Sequence, residues 1–277
     1  MATASVPVRL PRATASASLW TPAYSLWRRE LVRFYRQKAR VVGVIASPLL
    51  FWLVLGSGLS KTFHTGGPAA ATSSHYLGYF FPGAIMMIVL FTAIFSMMSL
   101  IQDRNEGFLL SVLAAPISRS AIVLGKVLGG ATLAAIQGWV FLVFAPLAGV
   151  HVGPLGVLYS MLIIALASFA LTALGFIIAW PMDSTQAFHA VINLVLIPLW
   201  LLSGSVFPAS GASGWLRALM MLNPLTYGVY ALRNGLFPLE TTPFSPEINL
   251  VITLGFCAVV FLGSWAVVNR RTNKPAA

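Results

Sequence analysis

Charge is what this chain has least of. Only 8% of its 277 residues are Asp, Glu, Lys or Arg, and only six of those are acidic. A soluble domain carries roughly 25% charged residues. With 58% hydrophobic residues and a mean hydropathy of +0.86, the solvent for most of this chain must be lipid. Cysteine is almost missing too. The single Cys257 sits inside an apolar run, so no disulfide can form within the chain, and no Cys/His spacing suits a metal. The apolar runs leave no room for a separate soluble domain. The net charge of +11 invites a nucleic-acid reading, but the basic residues flank apolar segments and form no interleaved basic-aromatic surface.

Ionisable groups are scarce inside the apolar runs as well. A charge at the centre of a membrane helix is costly and marks an ion or proton path. The absence of a mid-span acid argues against a proton-coupled carrier. Asp183, His189, His151, His64 and His75 read as solvated boundary residues. A lipid-modifying membrane enzyme would need clustered acids or histidines at an interface, and six scattered acids do not supply them. Gly125-Lys126 lacks both the glycine five residues upstream and the Ser/Thr of a phosphate-binding G-x-x-x-x-G-K-[ST] loop. The chain therefore cannot cradle ATP in that way.

What is present is six apolar stretches near the length of about 20 residues that crosses a bilayer core: 41–60, 77–101, 121–149, 155–180, 188–207 and 248–268. Pro48 interrupts the first and Pro198 the fifth; proline kinks a membrane helix more often than it ends one. Arg9, Arg12, Arg28, Arg29, Arg33, Arg36, Lys38, Arg40, Arg104, Arg119, Lys126, Arg270, Arg271 and Lys274 then fall on one face. Those are fourteen of the 17 basic residues. That excess marks the cytoplasmic side. It predicts a multi-pass protein of the cell (plasma or inner) membrane with both termini cytoplasmic.

The fold expected is all-α: a six-helix transmembrane domain over 41–268 with additions. Residues 1–19 fit a transit peptide in composition, and we read them as a disordered cytoplasmic tail; 269–277 is a second tail. In 20–40, Trp20, Tyr24, Trp27, Leu31 and Phe34 form one helical stripe, and Arg29, Arg33, Arg36 and Arg40 another. This predicts an amphipathic interfacial helix, aromatics in the acyl boundary and arginines on headgroup phosphates. The segment 208–247 predicts two short helices around Asn223-Pro224, dipping into or lying on the outer leaflet between spans five and six. The segment 61–75 reads as a flexible outer loop.

The charged island 102–119, opening a turn-rich stretch that runs on to Gly130, is the strongest candidate site. Asp103 or Asn105 can cap a short helix, and Pro116 ends it by pushing Ala115 out of helical conformation. Phe108, Leu109, Leu110, Val112 and Leu113 give that helix an apolar face. Composition leaves open whether the face packs on the chain's own helix ends or docks on a partner. Gly125 and Gly129 form a small-xxx-small pair that lets helices approach closely.

The island also carries a resemblance. Asp103-Arg104, Gly107-Phe108-Leu109, Ala115-Pro116-Ile117-Ser118-Arg119 and Val123-Leu124-Gly125-Lys126 are similar to the coupling segment of the type-2 ABC exporter permeases, the family of the daunorubicin-resistance permeases. Asn223-Pro224-Leu225-Thr226-Tyr227-Gly228-Val229-Tyr230-Ala231-Leu232-Arg233 resembles a second stretch of that family. The resemblance implies an export permease that dimerises with a second copy and pairs with a separate ATP-binding subunit, on which ATP and Mg²⁺ sit. Asp103, Arg104, Glu106, Gly107, Phe108, Leu109, Leu113, Pro116 and Arg119 would couple to that subunit. Two departures stand out. Asn105 replaces the family's acid, which has moved to Glu106, and Tyr230 replaces an acid that would partner Arg233.

The translocation path would use weakly polar residues. Ser47, Ser57, Thr92, Ser96, Gln137, Thr172, Asn193 and Ser203 are candidates, with Asn193 beside the Pro198 kink foremost, and interhelical hydrogen bonds in a packed bundle explain each as well. The reading is an ATP-driven permease for an amphipathic drug, lipid or lipid-linked glycan. A lipid-modifying enzyme and a non-transporting accessory subunit are the alternatives.

Overall fold

The computed structural model describes residues 19–59, 76–238 and 242–270, with the backbone alone for 38–41, 44, 45, 47 and 59. The expected loop 61–75 lies outside the described residues. So do nearly all of the tails 1–19 and 269–277, and so does the Ser47 side chain.

The described residues are helical and contain no strand. Helix α1 (Trp20–Arg36) breaks at Gln37 and leads directly into α2 (Lys38–Leu59). Helix α3 (Tyr76–Ser96) continues after a turn at Met97 as α4 (Met98–Asn105). Then come α5 (Phe108–Ala114), α6 (Arg119–Leu142), α7 (Pro154–Ala179), α8 (Thr185–Trp200), α9 (Gly214–Leu222), α10 (Pro224–Leu236) and α11 (Pro246–Asn269). Five helical segments are long and apolar enough to cross a membrane: Tyr76–Asn105, Arg119–Leu142, Pro154–Ala179, Thr185–Ser205 and Pro246–Asn269. The sixth expected span is α2. Its markedly apolar part is only Pro48–Gly58, but its 22 residues would reach ~33 Å at 1.5 Å each. The chain is a polytopic helical membrane protein.

Helix α3 is the axis of the bundle. It is buried along almost its whole length and touches α2, α6, α7, α8 and α10. Close approach to it is bought by small residues: a Cβ on Gly83 would meet Ser205 at 2.7 Å, and one on Gly175 would meet the Ile94 backbone at 3.0 Å. Helices α8 and α11 instead keep wide exposed apolar faces, including Leu194, Ile197, Val251 and Leu262.

Three boundaries differ from the sequence expectation. The helix expected over 20–40 ends at Arg36, so Arg40 lies on α2. The third span ends at Leu142 rather than 149, because the chain turns through a short 3-10 helix, Ala145–Ala148, with Pro146 early in it. The stretch 102–130 is not one loop. Its first residues finish α4, and Arg119 onward begins α6, so Asp103 and Lys126 sit on helices. Helices α2 and α8 run through Pro48 and Pro198.

The segment 208–247 holds two short helices, α9 and α10, around Asn223-Pro224. Asn223 caps α10 by accepting from Leu225 N, and Pro224 takes the first helical position, where no N–H is needed. The Asn223 amide donates to Leu199 O at 2.6 Å, Thr226 donates to Leu202 O at 3.3 Å, and Tyr227 donates to Met221 O at 2.9 Å. The motif therefore stitches this segment to the end of α8, where the helix loosens over Leu201–Ser205 around the positive-φ Gly204. Arg233 does not lack an intramolecular partner. It donates to Tyr79 O at 3.1 Å, and its guanidinium lies 4.1 Å from the centre of the Tyr79 ring.

Candidate functional site

Helix α1 is held against the first half of α6. Its buried stripe is Ala23, Leu26, Glu30 and Phe34, so of the aromatic stripe read from the spacing only Phe34 is buried against the protein. Trp20 and Tyr24 point outward, and Trp27 is half-buried with its indole N–H on Thr132 Oγ1 at 3.1 Å. The reason is steric. A Cβ on Gly125 would lie 2.7 Å from Ala23 O, and one on Gly129 would lie 2.8 Å from Glu30 Cβ, so the two backbones meet where bulky rings cannot fit.

That contact brings Glu30 onto Lys126. The two pair at 2.5 Å, both almost fully removed from solvent. Lys126 also donates to Ser99 Oγ at 3.2 Å and to the Asp103 carboxylate. Asp103 is buried and accepts a two-pronged bond from Arg29 at 2.7 and 2.8 Å and a further bond from Arg33 at 2.8 Å. Arg33 continues to Gln102 Oε1 at 2.9 Å and more loosely to Glu106 at 3.4 Å. The Asp103 hydrogen bond raises the Arg29 pKa against the opposing effect of burial. Asp103 thus ties α1, α4 and α6 together, and its oxygens are saturated.

Several expectations for the island change accordingly. Asp103 does not cap α5, because it lies inside α4, facing α1. Gly107 is the N-cap instead, at φ +76, a left-handed turn that glycine makes without strain. Arg29 and Arg33, expected on lipid phosphates, hold Asp103; Arg36 is exposed. Phe108 lies under the Arg29 guanidinium, 3.8 Å from ring centre. Leu109 is 3% exposed and packs into the chain's own core. The outward face of α5 is Leu110, at 66% exposure, and Leu113, at 40%, with Pro116 exposed just beyond. Glu106 is mostly exposed on the rim.

The other island cations anchor it elsewhere. Arg104 donates to Trp180 O at 2.5 Å, Met182 O at 2.8 Å and Asp183 at 2.9 Å, all in the α7–α8 turn. Asp183 is therefore an ion-pair partner as well as an exposed boundary residue. Arg119 donates to Val268 O at 3.1 Å near the end of α11. Charged contacts fix the island to α1, α6, the α7–α8 turn and the end of α11, while the α5 tip stays exposed. Glu30, Ser99 and Gln102 were not singled out from sequence. The signal for Glu30 was an acid in register with Ala23 and Leu26.

Of the path candidates, Thr92 is buried and donates to Gln137 Oε1 at 2.6 Å. Ser96, Thr172 and Ser203 bond to carbonyls of their own helical segments. Only the Thr92–Gln137 bond of these four joins two helices, α3 and α6. Asn193 and Pro198 are exposed on α8. Near them, α2, α3 and α8 enclose an apolar groove of about 420 Å³ lined by Phe51, Phe91, Phe95, Ile197 and Trp200. Among the described residues no group of three or more His, Cys, Asp or Glu could hold a metal.

The sequence model of the ABC-2 type transporter family matches residues 22–237. The chain is 26% identical over 231 residues to the daunorubicin resistance ABC transporter permease protein DrrB1 of Streptomyces coeruleorubidus, covering 81% of this chain and 77% of that protein. It is 24% identical over 258 residues to nodulation protein J of Rhizobium leguminosarum bv. viciae, covering 92% and 93%. It is 25% identical over 253 residues to ycf38 of Cyanophora paradoxa, provisionally named a transport permease, covering 86% of each.

Proposed function

The chain belongs to the ABC-2 type transporter family and is a multi-pass transport permease subunit, and from that premise we propose that it works in an ATP-driven exporter whose ATP and Mg²⁺ are held by a separate ATP-binding subunit. The observation that carries this reading is the α5 tip. Leu110 and Leu113 stand exposed on a seven-residue helix whose inner side sets Leu109 in the core and Phe108 under Arg29, and which follows α4, itself tied to α1 and α6 through Asp103 and to the α7–α8 turn through Arg104. Two exposed leucines on a rigid mount are a docking knob. Burying each would contribute roughly 1.5–3 kcal/mol. A pull on α5 passes through Asp103 to α1 and α6, and through Arg104 to the start of α8.

The exposed apolar face of α8 suits a second copy of the chain, and the aromatic groove beside Asn193 and Pro198 would then line a path between copies. Such a lining favours an amphipathic drug, lipid or lipid-linked glycan, in keeping with the daunorubicin-resistance name of one relative. The test is co-reconstitution with the ATP-binding subunit in vesicles, following ATP-dependent movement of a fluorescent amphipathic drug or lipid. Movement should need both subunits and vanish in the Leu110→Asp/Leu113→Asp variant. Equal movement by the permease alone would contradict the reading.

A further inference from the structure

At the joint of α7, α10 and α11, four buried polar side-chain atoms have no hydrogen-bond partner among the described residues. They are Tyr159 Oη and Ser160 Oγ on α7, Asn234 Nδ2 in the last turn of α10 and Asn249 Oδ1 early in α11. Ser160 and Asn249 are wholly out of solvent, at 0% exposure. Nearly all buried polar groups in folded proteins are hydrogen-bonded. Four unmet ones on three touching helices point to a partner that is not a side chain.

The contacts place all four together. Helices α7 and α10 meet through glycines. A Cβ on Gly156 would lie 2.5 Å from Gly235 O, and one on Gly235 would lie 2.5 Å from Ser160 Oγ and 2.8 Å from Tyr159 Cδ1. Asn234 immediately precedes Gly235. Asn249 arrives by two routes. Cys257 donates to Leu166 O and Ser264 to Ala173 O, each pair 91 residues apart. Helices α7 and α11 therefore run side by side at that offset, and Asn249 stands level with Leu158, next to Tyr159. The turn before α11 then links Asn249 to Asn234. Phe244 O accepts from Thr242 at 2.6 Å and from Asn249 Nδ2 at 3.3 Å, and Thr242 Oγ1 lies 3.0 Å from Asn234 Oδ1. Thr242 has one hydroxyl proton, which the 2.6 Å contact takes. Turned either way, the Asn234 amide leaves a polar atom unmet.

The chemistry of these groups selects the ligand. Two hydroxyls and two amides both donate and accept, and none is charged, so they match a neutral molecule that does the same. The glycine contacts leave width for a small one. The site also lies close to where the spans end. Tyr159, Ser160 and Asn249 are 3 to 6 residues into helices that begin at Pro154 and Pro246, roughly 5–9 Å along them at 1.5 Å per residue. A buried water makes about three hydrogen bonds to groups that would otherwise go unmet.

We propose that this joint is a water-binding site, in which ordered water bridges α7 to the end of α10 and the start of α11. The two ends of α10 are then held differently: its start is bonded directly to the end of α8 through Asn223 and Thr226, and its end is held through water. The proposal depends on neither the ATP-binding partner nor the transported molecule. X-ray hydroxyl-radical footprinting of the purified full-length permease, read by mass spectrometry, tests it, because radicals formed from bound water modify the side chains beside it. Tyr79, buried with its hydroxyl on Gly204 O at 3.1 Å, is the control. Tyr159 should be modified several-fold faster than Tyr79. Ser160→Ala should slow Tyr159 at an unchanged melting temperature, and Ser160→Ala/Asn249→Leu should bring it to the Tyr79 rate. Equally slow modification of both tyrosines in the wild type overturns the proposal, since the four groups would then bond one another directly. Fast modification of Tyr159 that Ser160→Ala leaves unchanged overturns it too, because bulk solvent would then be reaching the ring. If the double variant fails to fold, the single variant alone decides.

Discussion

Lys126 on α6 and Glu30 on α1 meet at 2.5 Å with both side chains almost wholly out of solvent. Lys126 is shared with the Asp103 carboxylate and Glu30 lies 3.9 Å from Arg29, so the pair belongs to a buried network that fixes where α1 crosses α6. Removing one partner of a buried pair costs about 3–5 kcal/mol, whereas replacing both with apolar groups is often near neutral. Glu30→Leu alone and Lys126→Met alone should each lower the melting temperature of the detergent-purified permease. The double variant should lose less than the sum of the two. Additive losses would mean the groups do not interact in the folded protein.

Gly125 and Gly129 should tolerate no side chain. Gly125→Val would place a branched group against Ala23 O and Leu26 Cβ, each 2.7 Å from the first added carbon. Overpacking of this kind costs about 1–3 kcal/mol. The expected outcome is a lowered melting temperature together with a shift in Trp27 fluorescence as its bond to Thr132 is lost. Wild-type values for both would show that α1 does not pack on α6 as described.

Asn223 both caps α10 and donates to Leu199 O. Asn223→Ala loses both bonds, for about 1–2 kcal/mol. Asn223→Asp keeps the cap but not the donor, so its melting temperature should fall between wild type and Asn223→Ala. Equal losses in both variants would assign the whole effect to the bond on α8.

The fourteen basic residues gathered on one face predict topology. In a Cys257→Ala background, Thr72→Cys should react with an impermeant thiol reagent added from outside, and Ser111→Cys only from the cytoplasm. Labelling of position 72 from the cytoplasm alone would reverse the map.

Sequence and structure agree most where hydrophobic length decides the outcome. Spans two to six were legible because about 20 apolar residues have one stable arrangement in lipid. The break near Pro116 was legible because proline constrains its predecessor: Ala115 has ψ 150. The site was less legible, for two physical reasons. The aromatic stripe of α1 has helical period, but which face turns inward depends on the glycines of a helix about a hundred residues away. Likewise the apolar face of α5 is divided by how the helix rolls on Gly107. Leu109 goes in and Leu110 stays out, and no local pattern separates neighbours of equal hydrophobicity. Asp103 looked like a cap because it is short and acidic before a greasy run. Its three cationic partners come from helices remote in sequence.

The central claim is that the exposed tip of α5 docks a separate ATP-binding subunit. Co-purification of that subunit with the tagged permease measures this most directly. Leu110→Asp and Leu113→Asp should each abolish recovery of the ATP-binding subunit while permease level and melting temperature stay at wild type, since both side chains face outward. Leu109→Asp should instead reduce the permease itself, because it buries a charge in the core. Full recovery of the ATP-binding subunit with both Leu110→Asp and Leu113→Asp would contradict the account.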